Sequence, residues 1–459
     1  MRRVMLIGLD CVPPALAFER GASLMPNLAS LMRRGAWGTL HSTMPPITVP
    51  AWTSMVSGRD PGELGLYGFR MRRARSYELS MVQSTDVRCE RVWDVIARHG
   101  RRSSVLFVPP SYPPFPVQGE LVSCFLTPDG QSPCTYPTPL RGELSARFGA
   151  YVPDVEVRSR APEGLVNELV AMTRQHFAMA RYVWQTREAD FLMMVEIGPD
   201  RLHHASYQHL DAGHPKHDPS APGVAEAERY YRELDRELGQ LVALADADTA
   251  VLVASDHGAR PLRSAFCINE WLIERGFLCL RERPGKAQPL KPSMIDFTRT
   301  RAWAEGGYYA RVFLNVRGRE PEGCVEPEQA EALCRELRQA LLDVSGPRGE
   351  RWLNRVEAPR ELYRDVRGDA PDLLAVFDDL NVRALATVGG AGLHSDSDDR
   401  GADACNHDWR GIFVLAGAGV TVRGELPECS IYDVGATILG LFAVDKPADW
   451  LGQDRSRAS

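Results

Sequence analysis

The sequence predicts an α/β protein: a doubly wound, mostly parallel sheet with an inserted α+β cap subdomain. Three observations carry this reading. Short apolar runs alternate with amphipathic helical stretches, acidic residues follow directly on several of the runs, and the texture of the chain changes over residues 262–390. The runs, at residues 4–9, 104–108, 191–195, 250–254 and 411–415, are short and uniformly apolar. That pattern fits parallel strands buried on both faces. Helical patterns lie between them, as at residues 25–35 and 225–245. In such sheets ligands sit beyond the carboxyl ends of the strands.

Residues 262–390 show few repeated strand–helix units. Turn-rich stretches at 281–292 and 316–324 and a helical segment at 326–343 mark an inserted cap, which leaves 1–261 and 391–459 as the core. Residues 109–139, rich in proline and aromatics, read as an ordered loop. Residues 213–223 read as a polar loop and 453–459 as a disordered tail.

The chain has 459 residues, 44% of them hydrophobic, which is ample for a buried core. A net charge of -6 leaves no electrostatic footprint for a nucleic acid polymer. No apolar run approaches the roughly 18 residues of a membrane helix. The opening MRRVMLIGLD has two arginines and a short apolar run, but Asp10 breaks it and no small-residue cleavage site follows. It reads as a first strand rather than a signal peptide. The expectation is a soluble, cytoplasmic protein. Ten scattered cysteines without a C-x-x-C pair read as free thiols, two of which, Cys11 and Cys405, stand near the motifs below.

Asp200 and His204, in GPDRLHHAS, are four apart and share one face of a helix, where a carboxylate and an imidazole can hold one divalent cation. His203 points elsewhere. In VLVASDHGA an apolar strand ends in Asp256-His257 and a glycine. Asp10 ends the first strand, and His407 stands shortly before the last. Read singly, Asp10 is equally a helix cap and His407 a structural histidine. Together they supply three Asp and three His, an oxygen and nitrogen set suited to Zn²⁺ or Mn²⁺. Six ligands are too many for one site and natural for two. Thr48, in MPPITVPAWTSMVSG, precedes a helix with small residues. A hydroxyl there is either a helix cap or faces an anion held by the helix N-terminus; beside two cations it becomes a usable nucleophile.

The order Asp10, Thr48, Asp200-x-x-x-His204, Asp256-His257, His407 resembles the alkaline phosphatase superfamily. More closely it resembles the type I phosphodiesterase/nucleotide pyrophosphatase family in its bacterial intracellular form. IGLDCVPP, PPITVPAWTSMVSGRDPGELGLYGFR, VEIGPDRLHH, VASDHGA, INEWLIERGFL, GGYYARVFLNVRGREP and NHDWRGIF carry the likeness over nearly the whole chain. The resemblance implies one metal on Asp200, His204 and His407, and another on Asp10, Asp256 and His257, with Thr48 between them as nucleophile. It implies attack on phosphorus, a covalent phosphothreonine and its hydrolysis. It also implies a small phosphorylated substrate, for which a nucleotide is one candidate.

The sequence departs from the family where an H-G-x-x-x-N stretch usually places an amide on a phosphate oxygen. Here LGLYGF has Leu64 for the His and Phe69 for the Asn. Arg70, Arg260 or a backbone N–H are the candidates to replace that amide. A sulfatase needs Cys or Ser at the nucleophile and a C/S-x-P-x-R pattern, and a metal-dependent phosphoglycerate mutase needs Ser; Thr48 fits neither. A phosphomonoesterase or phosphonate hydrolase is the alternative within the superfamily. A catalytically idle protein that binds a phosphorylated ligand is the alternative outside catalysis, and the completeness of the ligand set speaks against it. Trp303, Tyr308 and Tyr309 are candidates to stack on a base or sugar, and equally candidates for core packing.

Overall fold

The computed structural model describes residues 2–157, 162–390, 392–395 and 403–457. Its centre is a ten-stranded sheet. Five neighbouring strands run parallel, in the order Thr249–Ala254, Arg3–Leu9, Phe191–Glu196, Ser103–Leu106, Gly119–Val122. The first four are the apolar runs of the sequence, and nearly every residue in them is buried. Side chains of Arg3–Leu9 alternate between two hydrophobic layers. Met5, Ile7 and Leu9 join the layer covered by helices Pro26–Arg34, Pro162–Thr186 and Pro222–Val242. Val4 and Leu6 join the layer covered by Thr48–Ser57, Val92–Ala97 and Tyr432–Leu441. Helices on both faces of a mostly parallel sheet are the predicted fold class.

Three local expectations are corrected. The run at 411–415 belongs to Arg410–Gly417, which is antiparallel to both Thr249–Ala254 and Ala36–His41. Burial on both faces makes a strand apolar whichever way it runs, so composition does not reveal direction. The loop at 109–139 contains Gly119–Val122 and the short Thr135–Tyr136, whose apolar residues are masked by the flanking prolines. The tail is packed as far as Ser456: the backbone N–H of Gln453 and the guanidinium of Arg455 both reach Asp433, and Ser456 is buried. Residues 458–459 lie outside the described residues.

Between residues 262 and 390 the chain forms an antiparallel sheet, ordered Ala302–Glu305, Ala310–Leu314, Leu373–Val376, Arg355–Glu357. Helix Pro327–Leu342 buries Leu333, Leu337 and Leu341 in the same hydrophobic cluster as Trp303, Phe313 and Phe377. This region is tied to the segments on either side of Thr48–Ser57 at several points. The Tyr309 hydroxyl donates to the Tyr67 carbonyl, Arg311 to the Arg70 carbonyl, and Arg72 pairs with Glu320. Arg364 pairs with Glu63, and the Tyr363 hydroxyl donates to the Met44 carbonyl at 2.6 Å.

Candidate active site

The three central strands end level with one another, since Leu9 faces Glu196 and Gly8 faces Ala254. Acidic residues follow each of them. Asp10 comes directly after the first strand, Asp200 in the first turn of helix Gly198–Ser206, and Asp256-His257 after the third. His204 lies one turn beyond Asp200 on that helix. His407 is delivered by the ribbon Cys405–Asp408, which pairs with Gly258–Pro261 so that His407 faces Ala259. Thr48 opens helix Thr48–Ser57. All seven side chains are buried at this edge of the sheet.

Asp10, Asp256 and His257 form one group whose donor atoms all lie within 4.8 Å of one another; Asp200, His257 and His407 form another. His204 Nε2 is 3.2 Å from Asp200 Oδ1, and His407 Nε2 is 3.6 Å from the same oxygen. His257 and His407 stack at 3.7 Å, which joins the two groups. The hydroxyl of Thr48 is 3.3 Å from His257 Nε2. Ile47, not Thr48, is the helix cap, and no side chain caps this helix. Thr48 is therefore turned into the donor cluster rather than onto its own backbone. His203 points away from it, to the Tyr231 hydroxyl at 2.7 Å.

Each of the six donors is gripped from behind. Asp10 Oδ2 accepts from the Trp52 indole at 2.8 Å, Asp256 Oδ1 from the Cys11 N–H at 3.3 Å, and Asp200 Oδ2 from Arg201 at 2.7 Å. The Nδ1 atoms of His204, His257 and His407 meet Asp403 Oδ1, the Gly258 carbonyl and the Pro46 carbonyl at 2.8, 3.1 and 2.8 Å. Among the described residues the opposite atoms, Asp10 Oδ1, Asp200 Oδ1, Asp256 Oδ2 and His407 Nε2, are buried without a hydrogen-bond partner. Buried polar atoms are costly to leave unpaired. Four of them converging, each oriented by a partner on its other side, match the donor set and outer support of a metal centre.

The electrostatics agree. Burial, reinforced by the charge of Asp200, pushes the Asp10 carboxyl well above the usual range, and burial with the charge of Asp10 does the same to Asp256. Burial also opposes ionisation of Asp200, but His204, Arg201 and His407 outweigh it and hold that carboxyl well below the usual range. Burial pulls His257 down to about 4, and pulls His407 well below its ordinary value with help from His257. Neutral imidazoles are the ligand form of histidine; His204 differs, because burial opposes its charge but Cys405, Tyr308 and Asp403 outweigh it and raise it well above its ordinary value. Divalent cations would offset the mutual repulsion of the carboxylates, so the residues fit such ions.

Gly8 has a specific reason to lack a side chain. A Cβ there would overlap the Trp52 indole and come within 2.9 Å of Val195 Cγ2. The bare backbone lets the indole cross the first strand and reach Asp10.

The candidate stackers divide. Trp303 packs against Phe297 and Phe313 in the core of its sheet, and Tyr309 is buried with its hydroxyl on Tyr67. Tyr308 alone enters the donor cluster: its ring stacks on His407 at 4.1 Å, and its hydroxyl is 3.1 Å from His204 Nε2. Phe69 packs with Leu64, Leu66 and Val82 around Val49, so apolar packing fills that position. Arg260 is engaged by Asp379 and Asp408, and Arg70 is exposed. Trp52, Asp403 and Asn406 were not singled out from the sequence. Asn406 donates to the Tyr308 and Leu380 carbonyls at 3.0 and 2.8 Å and accepts from the His407 N–H. Their only signal was adjacency to the motifs.

A mostly parallel sheet with this cluster at its carboxyl edge is the fold of the alkaline phosphatase superfamily. The chain belongs to its type I phosphodiesterase/nucleotide pyrophosphatase family, a family of metal-dependent hydrolases whose model matches residues 4–403. Among solved structures, it is similar to human ectonucleotide pyrophosphatase/phosphodiesterase 5, with 13% identity and a TM-score of 0.58 over 97% of this chain and 96% of that one. An inactive variant of the murine protein, in complex with AMP, gives 13% identity and 0.57 over 99% and 97%. Phosphonoacetate hydrolase from Sinorhizobium meliloti 1021, in complex with phosphonoformate, gives 19% identity and 0.57 over 93% and 91%. No curated protein matches the sequence. Among the described residues no helix is long and apolar enough to cross a membrane.

Proposed function

We propose that this protein is a two-metal phosphoester hydrolase of the phosphodiesterase/nucleotide pyrophosphatase kind, working through a covalent phosphothreonine at Thr48. One observation carries the reading: the unpaired inner atoms of Asp10, Asp200, Asp256 and His407 converge beside the hydroxyl of Thr48. Asp200, His204 and His407 would hold one cation and Asp10, Asp256 and His257 the other, each zinc or manganese. Bound there, the cations supply a lowered pKa for the threonine hydroxyl and charge neutralisation at phosphorus and at the leaving oxygen.

The chain's own residues do the rest. Thr48 is fixed at the start of its helix, where backbone N–H groups and the positive helix end face an incoming phosphoryl oxygen. Its Oγ1 attacks phosphorus in line with the departing oxygen. The new O–P bond is then broken by water, which restores the hydroxyl. Residues 262–390 serve as a cap on the core formed by 1–261 and 391–459, and select a small phosphorylated substrate.

The test is hydrolysis of bis-p-nitrophenyl phosphate against p-nitrophenyl phosphate, with Zn²⁺ or Mn²⁺ supplied. Diester preference, lost on chelation and reduced at least about a thousand-fold in Thr48→Ala, is the expected result. Monoester preference would retain the chemistry and reassign the substrate class. Full activity in Thr48→Ala would remove the covalent step.

A further inference from the structure

His407 is carried by a ribbon of two strands, Gly258–Pro261 and Cys405–Asp408, and among the described residues no third strand pairs with it. Two strands alone are marginally stable, so the order of this ribbon depends on what braces it. The Pro46 carbonyl fixes the rotation of the His407 ring but not the strand beneath it. In the ribbon Asn406 faces Arg260, and side chains alternate between the two faces. Arg260, Asn406 and Asp408 therefore share the face turned away from His407. Arg260 and Asp408 pair on that face at 3.0 Å.

The same outer face is held by a strained turn. Asp378, Asp379 and Leu380, just beyond strand Leu373–Val376, have φ of 45°, 49° and 71°. Consecutive non-glycine residues in the left-handed region are costly and persist only where the surroundings over-determine them. Here the ribbon does so. Arg260 donates to both the carbonyl and Oδ2 of Asp379. The Trp409 indole donates to Asp379 Oδ1 at 2.8 Å, and Asn406 donates to the Leu380 carbonyl at 2.8 Å. From the other side, the Leu353 carbonyl accepts the Asp379 N–H at 2.8 Å. The Leu380 side chain is fully buried, in the same cluster as Met44 and Ile47. The left-handed path brings two successive carbonyls and a carboxylate onto one ribbon. The Asp379 side chain is 42% exposed, so its ion pair with Arg260 contributes little alone. Its weight lies in the convergence of guanidinium and indole on a single residue.

We infer that Asp379 is a positioning residue, which holds the outer face of the ribbon and thereby fixes where His407 stands as a metal ligand. This rests on the metal-dependent function proposed above. Supports behind a ligand are worth about ten- to a hundred-fold in metal affinity.

Asp379→Gly removes the carboxylate and leaves a residue at ease in a left-handed turn, so any loss reads the side chain and not added strain. Trp409→Phe is the second variant, since it keeps a ring and removes only the indole N–H. Two measurements read both: hydrogen exchange of the metal-free protein by mass spectrometry, and Zn²⁺ affinity in a metal-buffered titration. In Asp379→Gly, exchange over 258–261 and 405–408 should be at least about ten-fold faster, with residues 3–9 unchanged. Zn²⁺ affinity should fall at least about ten-fold. Trp409→Phe should move both in the same direction, and decides the matter if Asp379→Gly does not fold. Unchanged exchange in the ribbon would overturn the inference. So would faster exchange with unchanged Zn²⁺ affinity, which would mean that His407 is placed by other contacts. Equal acceleration over residues 3–9 would also overturn it, since the turn would then serve overall stability alone. Wild-type protein that binds Zn²⁺ but cleaves no phosphoester would sink the proposed function, while both measurements still decide the role of Asp379.

Discussion

Every donor in the cluster has one atom turned inward and another held from outside, and the outside partners set how well the inner atoms converge. Asp403 is the clearest case. It binds His204 Nδ1 at 2.8 Å and is itself paired with the buried Arg383 at 3.0 Å. Asp403→Asn keeps the shape but removes the charge that orients the imidazole. Such outer changes cost metal affinity about ten- to a hundred-fold, and that loss is the expected outcome in a metal-buffered titration. The same affinity as wild type would mean that the helix alone orients His204. At this scale the sequence was informative about residues with a fixed order and spacing: it singled out Asp10, Thr48, Asp200, His204, Asp256, His257 and His407, and the structure places all seven at one edge of the sheet, although His257 rather than His204 groups with Asp200 and His407, and His204 groups with Asp403 and Cys405. It was silent on Trp52, Asp403 and Asn406, because their roles arise from contacts between elements distant along the chain. For Tyr308 it offered base stacking or core packing, whereas the phenol lies on two histidines.

At the scale of elements, the first strand and helix Thr48–Ser57 act as one unit, because Trp52 of the helix crosses Gly8 of the strand to reach Asp10. Gly8→Ala forces the indole or the strand to move. Overpacking of this kind costs about 1–3 kcal/mol, to be read from denaturant unfolding of the metal-free protein. Metal binding should weaken as well, because the displaced indole no longer fixes Asp10. Unchanged stability would show that the interface yields easily. The elements most legible from sequence were the buried strands and long helices, where periodicity and composition agree. Strand direction at Arg410–Gly417 was not legible, because apolar composition is the same for either direction. Gly119–Val122 was missed because the prolines around it dominate the local signal.

At the scale of the molecule, stability against acid has an identifiable component. Burial lowers His203 from 6.5 to about 3. The unfolded chain therefore binds a proton that the folded protein does not over that interval. This stabilisation is complete above about pH 6.5 and is lost progressively as the pH falls toward 3. His203→Gln, which cannot take up that proton, should show a shallower acid limb in a plot of unfolding free energy against pH. An identical limb would assign acid sensitivity to other groups.

The pairing order of the central sheet also bears on how the chain is made. Arg3–Leu9 lies in the middle of the sheet, yet its partners are Phe191–Glu196 and Thr249–Ala254. During synthesis neither hydrogen-bonding edge of that strand can be paired until residues 191–196 have emerged, and the second stays bare until residues 249–254 follow. Long-range parallel pairing is slow, and bare edges invite association with other chains. The innermost strand of the finished molecule is thus exposed for long in the nascent one, and His407 cannot join Asp10 until about 400 further residues have been made.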